Sequence, residues 1–155
     1  MLSTASLTGH AFNQPVQRMH LPPHHSPLPL FDRFADGPGV QLTAMEALQL
    51  SLRLDLTRLF NARNALTIRA YLDGAPTSRD YGLPDTLGLS ARSATDLQQW
   101  EQVLTRALAL YEPRLSQVRV KVTPDPARPA AARATIAALA RVEGQPCPFH
   151  FDTGL

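Results

Sequence analysis

Proline at position 113 divides the second half of the chain between two periodicities that cannot share one element. Before it, Leu97, Trp100, Val103, Leu104, Ala107, Leu108 and Tyr111 recur at three and four residues, the spacing of one helix face. After it, Val118, Val120 and Val122 alternate with Arg119 and Lys121, the period of a strand with one buried and one wet face. Proline lacks an amide donor and its ring collides with the preceding turn, so Pro113 sets where the helix stops, and the strand must begin just beyond. Glu112 and Arg114 flank it with opposite charges. A carboxylate and a guanidinium this close can pair bidentately with each other or with groups of a neighbour. The knot Tyr111-Glu112-Pro113-Arg114-Leu115 therefore either pins a corner or meets a partner.

What lies around this corner is one domain's worth of chain. At 155 residues with 44% apolar content, a single core is expected. The net charge is +2, and arginine supplies every basic residue except Lys121. These cations are scattered rather than clustered in a stripe, which disfavours a nucleic-acid binder. Cys147 is the only cysteine, so an internal disulfide and a multi-cysteine metal site are both excluded, and a reducing compartment is consistent. No basic residue leads an apolar stretch at the N-terminus and no run reaches the length of a membrane span, so the expectation is a soluble, unexported protein without membrane insertion.

From Met1 to Pro29 the only charged residue is Arg18, and five prolines interrupt any periodic pattern. This composition predicts a flexible tail over 1–29, disordered on its own. Its His20, His24 and His25 do not make a metal site, because Pro22 and Pro23 prevent the helix that would bring them onto one face and zinc wants four fixed ligands. Leu30, Phe31, Asp32, Arg33 and Phe34 form a small apolar arm that could dock on its own domain or on another protein. Asp36-Gly37-Pro38-Gly39 is a turn without phosphate-loop spacing.

Thr43 and Glu46 form a capping box, and Met45, Leu48, Leu52, Leu56 and Leu59 predict a helix over 44–61. Leu50 and Leu54 widen its apolar face, which suggests cover on more than one side. Leu66, Ile68 and Ala70 alternate with Thr67 and Arg69, predicting a short strand. Tyr81-Gly82-Leu83-Pro84-Asp85 carries turn chemistry, and Ser93 with Asp96 caps the helix that ends at the knot. Pro124-Asp125-Pro126 is expected to turn the Val-x-Val strand. Over 130–142, alanines favour a helix, yet Ala132, Ala134, Ile136, Ala138, Ala140 and Val142 also alternate with polar residues. Gly144-Gln145-Pro146 predicts a further turn, and Phe149 and Phe151 a last strand.

Catalytic material is thin. Glu112 with Asp85 or Asp152 could act as an acid–base pair on a glycosidic bond, but a general acid needs a proton and a neighbouring guanidinium favours the ionised form. Cys147 has no activating neighbour and is expected to be a small buried apolar residue.

Leu30-Phe31-Asp32-Arg33-Phe34, Leu59-Phe60-Asn61-Ala62-Arg63, Tyr81-Gly82-Leu83-Pro84-Asp85, the knot, and Phe151-Asp152-Thr153 stand in one order. In that order they resemble the TssE family of type VI secretion baseplate subunits, which is similar to the wedge proteins of contractile phage tails long labelled lysozyme-like. The resemblance covers about Pro27 to Leu155. It implies an α+β fold: a small single domain over 30–155, with two main helices packed on a small mixed or antiparallel sheet similar to the handshake domain of sheath subunits. It also makes 130–142 a strand, against propensity. The implied role is structural, with no catalysis and no cofactor, in a cytoplasmic baseplate docked to the inner-membrane complex. The implied partners are the wedge subunits TssF, TssG and TssK and the sheath subunits TssB and TssC, with sheath polymerisation starting on the strand. Glu112, Pro113, Arg114 and Leu115 match the family signature and Val118, Arg119, Val120, Lys121 and Val122 its following strand. The alternative carried by the old label is a peptidoglycan-cleaving enzyme, which the absence of an export signal opposes.

Overall fold

The computed structural model describes residues 42–155. The tail over 1–29, the arm at 30–34 and the turn at 36–39 lie outside them. The elements are α1 (Ala44–Asn61), α2 (Ile68–Asp73), a single 3-10 turn (Ser78–Asp80) and α3 (Ala94–Tyr111), followed by β1 (Ser116–Asp125), β2 (Arg128–Val142) and β3 (Gln145–Gly154). The strands form one antiparallel sheet in the order β1-β2-β3, so the expected α+β class holds.

Both main helices start where their caps predict. Thr43 N–H donates to Glu46 Oε2 at 2.9 Å while Glu46 N–H donates back to Thr43 Oγ1 at 3.3 Å, so two orphan amides of the first turn are satisfied reciprocally. Ser93 Oγ accepts from Asp96 N–H at 3.2 Å at the head of α3. At the other end Tyr111 is the last helical residue and Glu112 the C-cap, one residue ahead of the proline. The α1 stripe is narrower than expected: Leu52, Leu56 and Leu59 are buried, whereas Leu50 and Met45 stay exposed.

The segment at 66–70 is a correction. Thr67 Oγ1 accepts from Ala70 N–H at 3.2 Å, capping a helix that runs from Ile68 to Asp73. Ile68, Tyr71 and Leu72 then fall on one side, with Tyr71 fully buried. An alternation of only three apolar residues was outweighed by a capped turn with helical spacing. The loop that follows is stitched to the end of α1. Leu83 N–H donates to Ala62 O at 3.0 Å, Asn64 N–H returns to Leu83 O at 2.9 Å, and Asn64 Nδ2 donates to the carbonyls of Asp80 and Gly82. Gly82 has φ of 110° and a Cβ there would stand 2.7 Å from the Ala62 carbonyl, so only glycine permits the approach. Two of the sequence motifs are thus one structural joint, and the Tyr111 hydroxyl closes it by donating to Asp80 O at 2.8 Å.

The strands are longer than the alternation suggests. β1 continues through Pro124 to Asp125, and the chain reverses at Pro126 and Ala127. The second hairpin turns on Glu143 and Gly144, both with positive φ, so Gln145 and Pro146 already belong to β3. Two positive φ angles match the right-handed twist of flanking strands. Residues 130–142 are strand, inside β2. Ala132, Ala134, Ile136, Ala138 and Ala140 all point into the core, and their small size leaves room for bulk from elsewhere. Phe149 and Phe151 of β3 supply it from the next strand, and Phe60 of α1 lies 6.0 Å from Phe151 between ring centroids. Against the same face of the sheet α3 brings Trp100, Val103, Leu104, Ala107 and Leu108 into the same cluster.

This core predicts a size limit. Ala134→Leu is expected to destabilise the fold by about 1–3 kcal/mol through overpacking, read as a lower midpoint in urea unfolding. Thr135→Val, on the exposed face of the same strand, should stay within about 0.5 kcal/mol.

Candidate functional site

The knot pins the corner from inside. Arg114 Nε donates to Glu112 Oε1 and its Nη2 to Oε2, both at 2.6 Å, a bidentate fork across Pro113. The same guanidinium reaches α1, with Nη2 donating to Asp55 Oδ2 at 2.6 Å and Nη1 to Ser51 Oγ at 3.0 Å. Glu112 is buried, at 4% exposure, while Arg114 keeps 35%. The two carboxylates, Glu112 first and then Asp55, raise the Arg114 pKa above its already high ordinary value against the opposing effect of burial. One cation therefore ties the end of α3, the start of β1 and the middle of α1 together. Leu115, whose N–H donates to Glu112 O at 3.1 Å, follows into the core.

Removing the guanidinium strands a buried carboxylate. Arg114→Ala is expected to cost about 2–3 kcal/mol, somewhat below a fully enclosed pair because a third of the arginine side chain meets water. Arg114→Lys should recover little, since an ammonium cannot make the fork. Urea denaturation of the three proteins measures both statements.

Along β1 the wet and dry sides separate as the alternation predicts. Val118 and Val120 are half-buried and Val122 is buried, whereas Arg119 and Lys121 are exposed. Lys121 Nζ lies 3.0 Å from Glu101 Oε1 of α3, and the same oxygen accepts Val122 N–H at 2.9 Å. That backbone donor, followed by Lys121, holds the Glu101 carboxyl below the usual carboxylate range. At the far end of β1 the buried Asp125 accepts from Ala127 N–H at 2.9 Å and from Arg128 at 3.3 Å, with Arg133 3.7 Å away. Those partners, the amide of Ala127 foremost, lower its pKa.

A carboxylate with a lowered folded pKa contributes stability above its unfolded pKa and loses it as pH falls through the folded one. Asp125→Asn is therefore expected to lower the urea midpoint at neutral pH. The gap between variant and wild type should narrow on acidification, as urea titrations at stepped pH would show.

The carboxylates considered for catalysis are not gathered. Glu112 faces inward to Arg114. Asp152 stands on the exposed face of the sheet, where Thr135 Oγ1 donates to it at 2.6 Å, and Asp85 accepts Leu87 N–H at 2.9 Å in the loop before α3. Cys147 is half-buried rather than buried, because it lies near the start of β3, at the margin of the core. Among the described residues no group of His, Cys, Asp and Glu is arranged to hold a metal ion, and no described helix is long and apolar enough to cross a membrane. Ser51, Asp55 and Glu101 escaped the sequence reading, and Asp125 was seen there only as a turn residue. The one signal for the first two is that they sit four apart within the leucine stripe of α1, where polar residues interrupt an apolar face.

These elements define a small α+β domain, three strands backed by helices, whose helix-to-strand corner is cross-braced by buried charge. The chain belongs to the family of the baseplate wedge protein gp25, whose model matches residues 46–145. Among solved structures, a chain of the baseplate complex from the type VI secretion system shares the fold. Its TM-score is 0.50 at 23% identity, over 68% of this chain and 90% of that one. A comparison with curated protein sequences gives no match.

Proposed function

We propose that this wedge-family chain is a TssE-type subunit of a type VI secretion baseplate, working in the cytoplasm at a baseplate docked to the inner-membrane complex. Its work is done by surfaces, without turnover or cofactor. It binds the wedge subunits TssF, TssG and TssK and starts polymerisation of the sheath subunits TssB and TssC through the β1 side of its sheet. The observation that carries this reading is the braced corner: Glu112, Pro113, Arg114 and Leu115 hold β1 at the sheet edge in a fixed direction. Edge strands present unpaired backbone groups to which another chain can add a strand, with specificity set by alternate side chains. Val118, Val120 and Val122 shape the buried side of that strand, while Arg119 and Lys121 on its wet side steer an approaching partner. The arm at Leu30, Phe31, Asp32, Arg33 and Phe34 is proposed as a second docking element of the same domain over 30–155. Peptidoglycan cleavage is a poor fit, since both oxygens of Glu112 are occupied by Arg114 and its side chain is buried.

Co-expression with the wedge subunits is expected to yield a stable stoichiometric complex by mass determination. Val120→Pro is the sharper test, because the Val120 amide faces away from β2 and an edge strand tolerates proline there. The variant should remain folded by circular dichroism and still join the wedge subunits, yet fail to nucleate TssB–TssC sheath. Normal nucleation by that variant would remove the strand edge from the mechanism. Clearing of cell-wall suspensions by the purified chain would instead favour the enzyme.

A further inference from the structure

Among the described residues the outer edge of β1 is partly closed by α3. Along an antiparallel strand, backbone groups face the neighbour and face away in alternation. Val122 N–H donates to Glu101 Oε1 on α3 at 2.9 Å, so it points away from β2. In the regular register from Arg119 to Pro124, period two turns Val120 the same way, and Pro124 has no N–H to offer. Among the described residues the outward row from Arg119 to Pro124 therefore holds one open donor, one capped donor and one missing donor. The opposite edge of the sheet is blunted differently. The prolines at 146 and 148 of β3 lack donors, and Arg53 of α1 donates to the His150 carbonyl at 3.2 Å.

The two closures differ in kind. Prolines are permanent, whereas Glu101 is a side chain, 24% exposed and anchored on α3, that can swing off. Its release leaves no group stranded. Val122 N–H would exchange a carboxylate for an incoming carbonyl, and Glu101 would keep Lys121, whose ammonium is 3.0 Å away. An exchange that conserves hydrogen bonds has a small net cost. A groove of about 690 Å³ already runs beside this edge, lined by Val120, by Gln98, Glu101 and Thr105 of α3 and by Leu72 of α2. It offers room for an extended segment alongside Val120.

We infer that Glu101 is a displaceable cap on β1, closing the edge against other copies of this chain and yielding to the backbone carbonyl of an extended partner segment lying in the groove. This rests on the strand-addition reading above and adds its control. Self-pairing of an uncovered edge is the standing hazard of such sheets, and an assembly subunit must avoid it before its partner arrives.

The test uses the full chain with Glu101→Ala, Glu101→Gln and Lys121→Ala. In Glu101→Ala the Val122 amide should exchange hydrogen about tenfold faster or more. The variant should also self-associate in sedimentation at concentrations where wild type stays monomeric, and capture sheath subunits faster. Glu101→Gln keeps an acceptor oxygen and should retain most of the protection. Lys121→Ala should leave Val122 protected. Wild-type exchange at Val122 in Glu101→Ala overturns the cap. Faster exchange with unchanged self-association and unchanged capture overturns its gating role. If capture is lost in Val120→Pro but equal in Glu101→Ala and wild type, the gate alone falls. If Val120→Pro captures as well as wild type, strand addition falls and the partner half of the cap falls with it.

Discussion

The fork between Arg114 and Glu112, with its reach to Asp55 and Ser51, is the interaction on which the rest of the structure hangs. A chain leaving a helix at a proline can take many directions, and an uncovered helix end supplies little to choose among them. Here a planar cation with five donors, standing just after the break, engages the carboxylate just before it and a second carboxylate from a third element. Its geometry allows one arrangement of those elements. The direction of β1 follows, and with it the register that sets Val120 opposite Ile136 and Val122 opposite Ala134. Burying Glu112 costs solvation whether or not its partner is present, so the pair contributes geometric definition more than net stability.

That definition explains the composition of β2. A strand between two others, with helices pressed against one face, gains little from bulk of its own. The alanines at 132, 134, 138 and 140 make a flat inner surface against which α1 and α3 lay their large residues. Among the described residues the helices thus cover one face of the sheet and leave its other face exposed. Its outward charges are Arg119, Lys121, Arg133 and Arg141 against Asp152, and its edges carry Pro124, Pro146 and Pro148. For a wedge-family domain this is a coherent arrangement. Rigidity comes from buried charge at one corner, and restraint comes from capped backbone at the sheet margin.

Much of this was legible beforehand. The helix over 44–61, the stop at the knot, the Val-x-Val strand and the inner face of each follow from caps, a proline and clean periodicity. The segment at 66–70 was misread because three alternating residues also fit a capped helical turn. The stretch at 130–142 leans toward a helix on its residues alone, since its alanines outweigh the alternation, and only the family resemblance made it the strand that the structure shows. Of the candidate site, the Glu112 and Arg114 pair could be seen two residues apart, but its anchors could not. Asp55 and Ser51 lie 59 and 63 residues from Arg114, and Glu101 lies 21 from Val122.

The division between the two kinds of knowledge follows the range of the forces involved. Caps, turns and helix stops are hydrogen bonds and steric clashes within three or four residues, so the sequence by itself determined where α1 and α3 begin and end and, for α3, which face it buries. The state of β2, the inward turn of Arg114 and the capping of Val122 depend on what other segments bring alongside, and only the tertiary structure decided them. Burial overrides alanine's helix preference once a strand on each side supplies the backbone partners that a lone segment would have to find within itself.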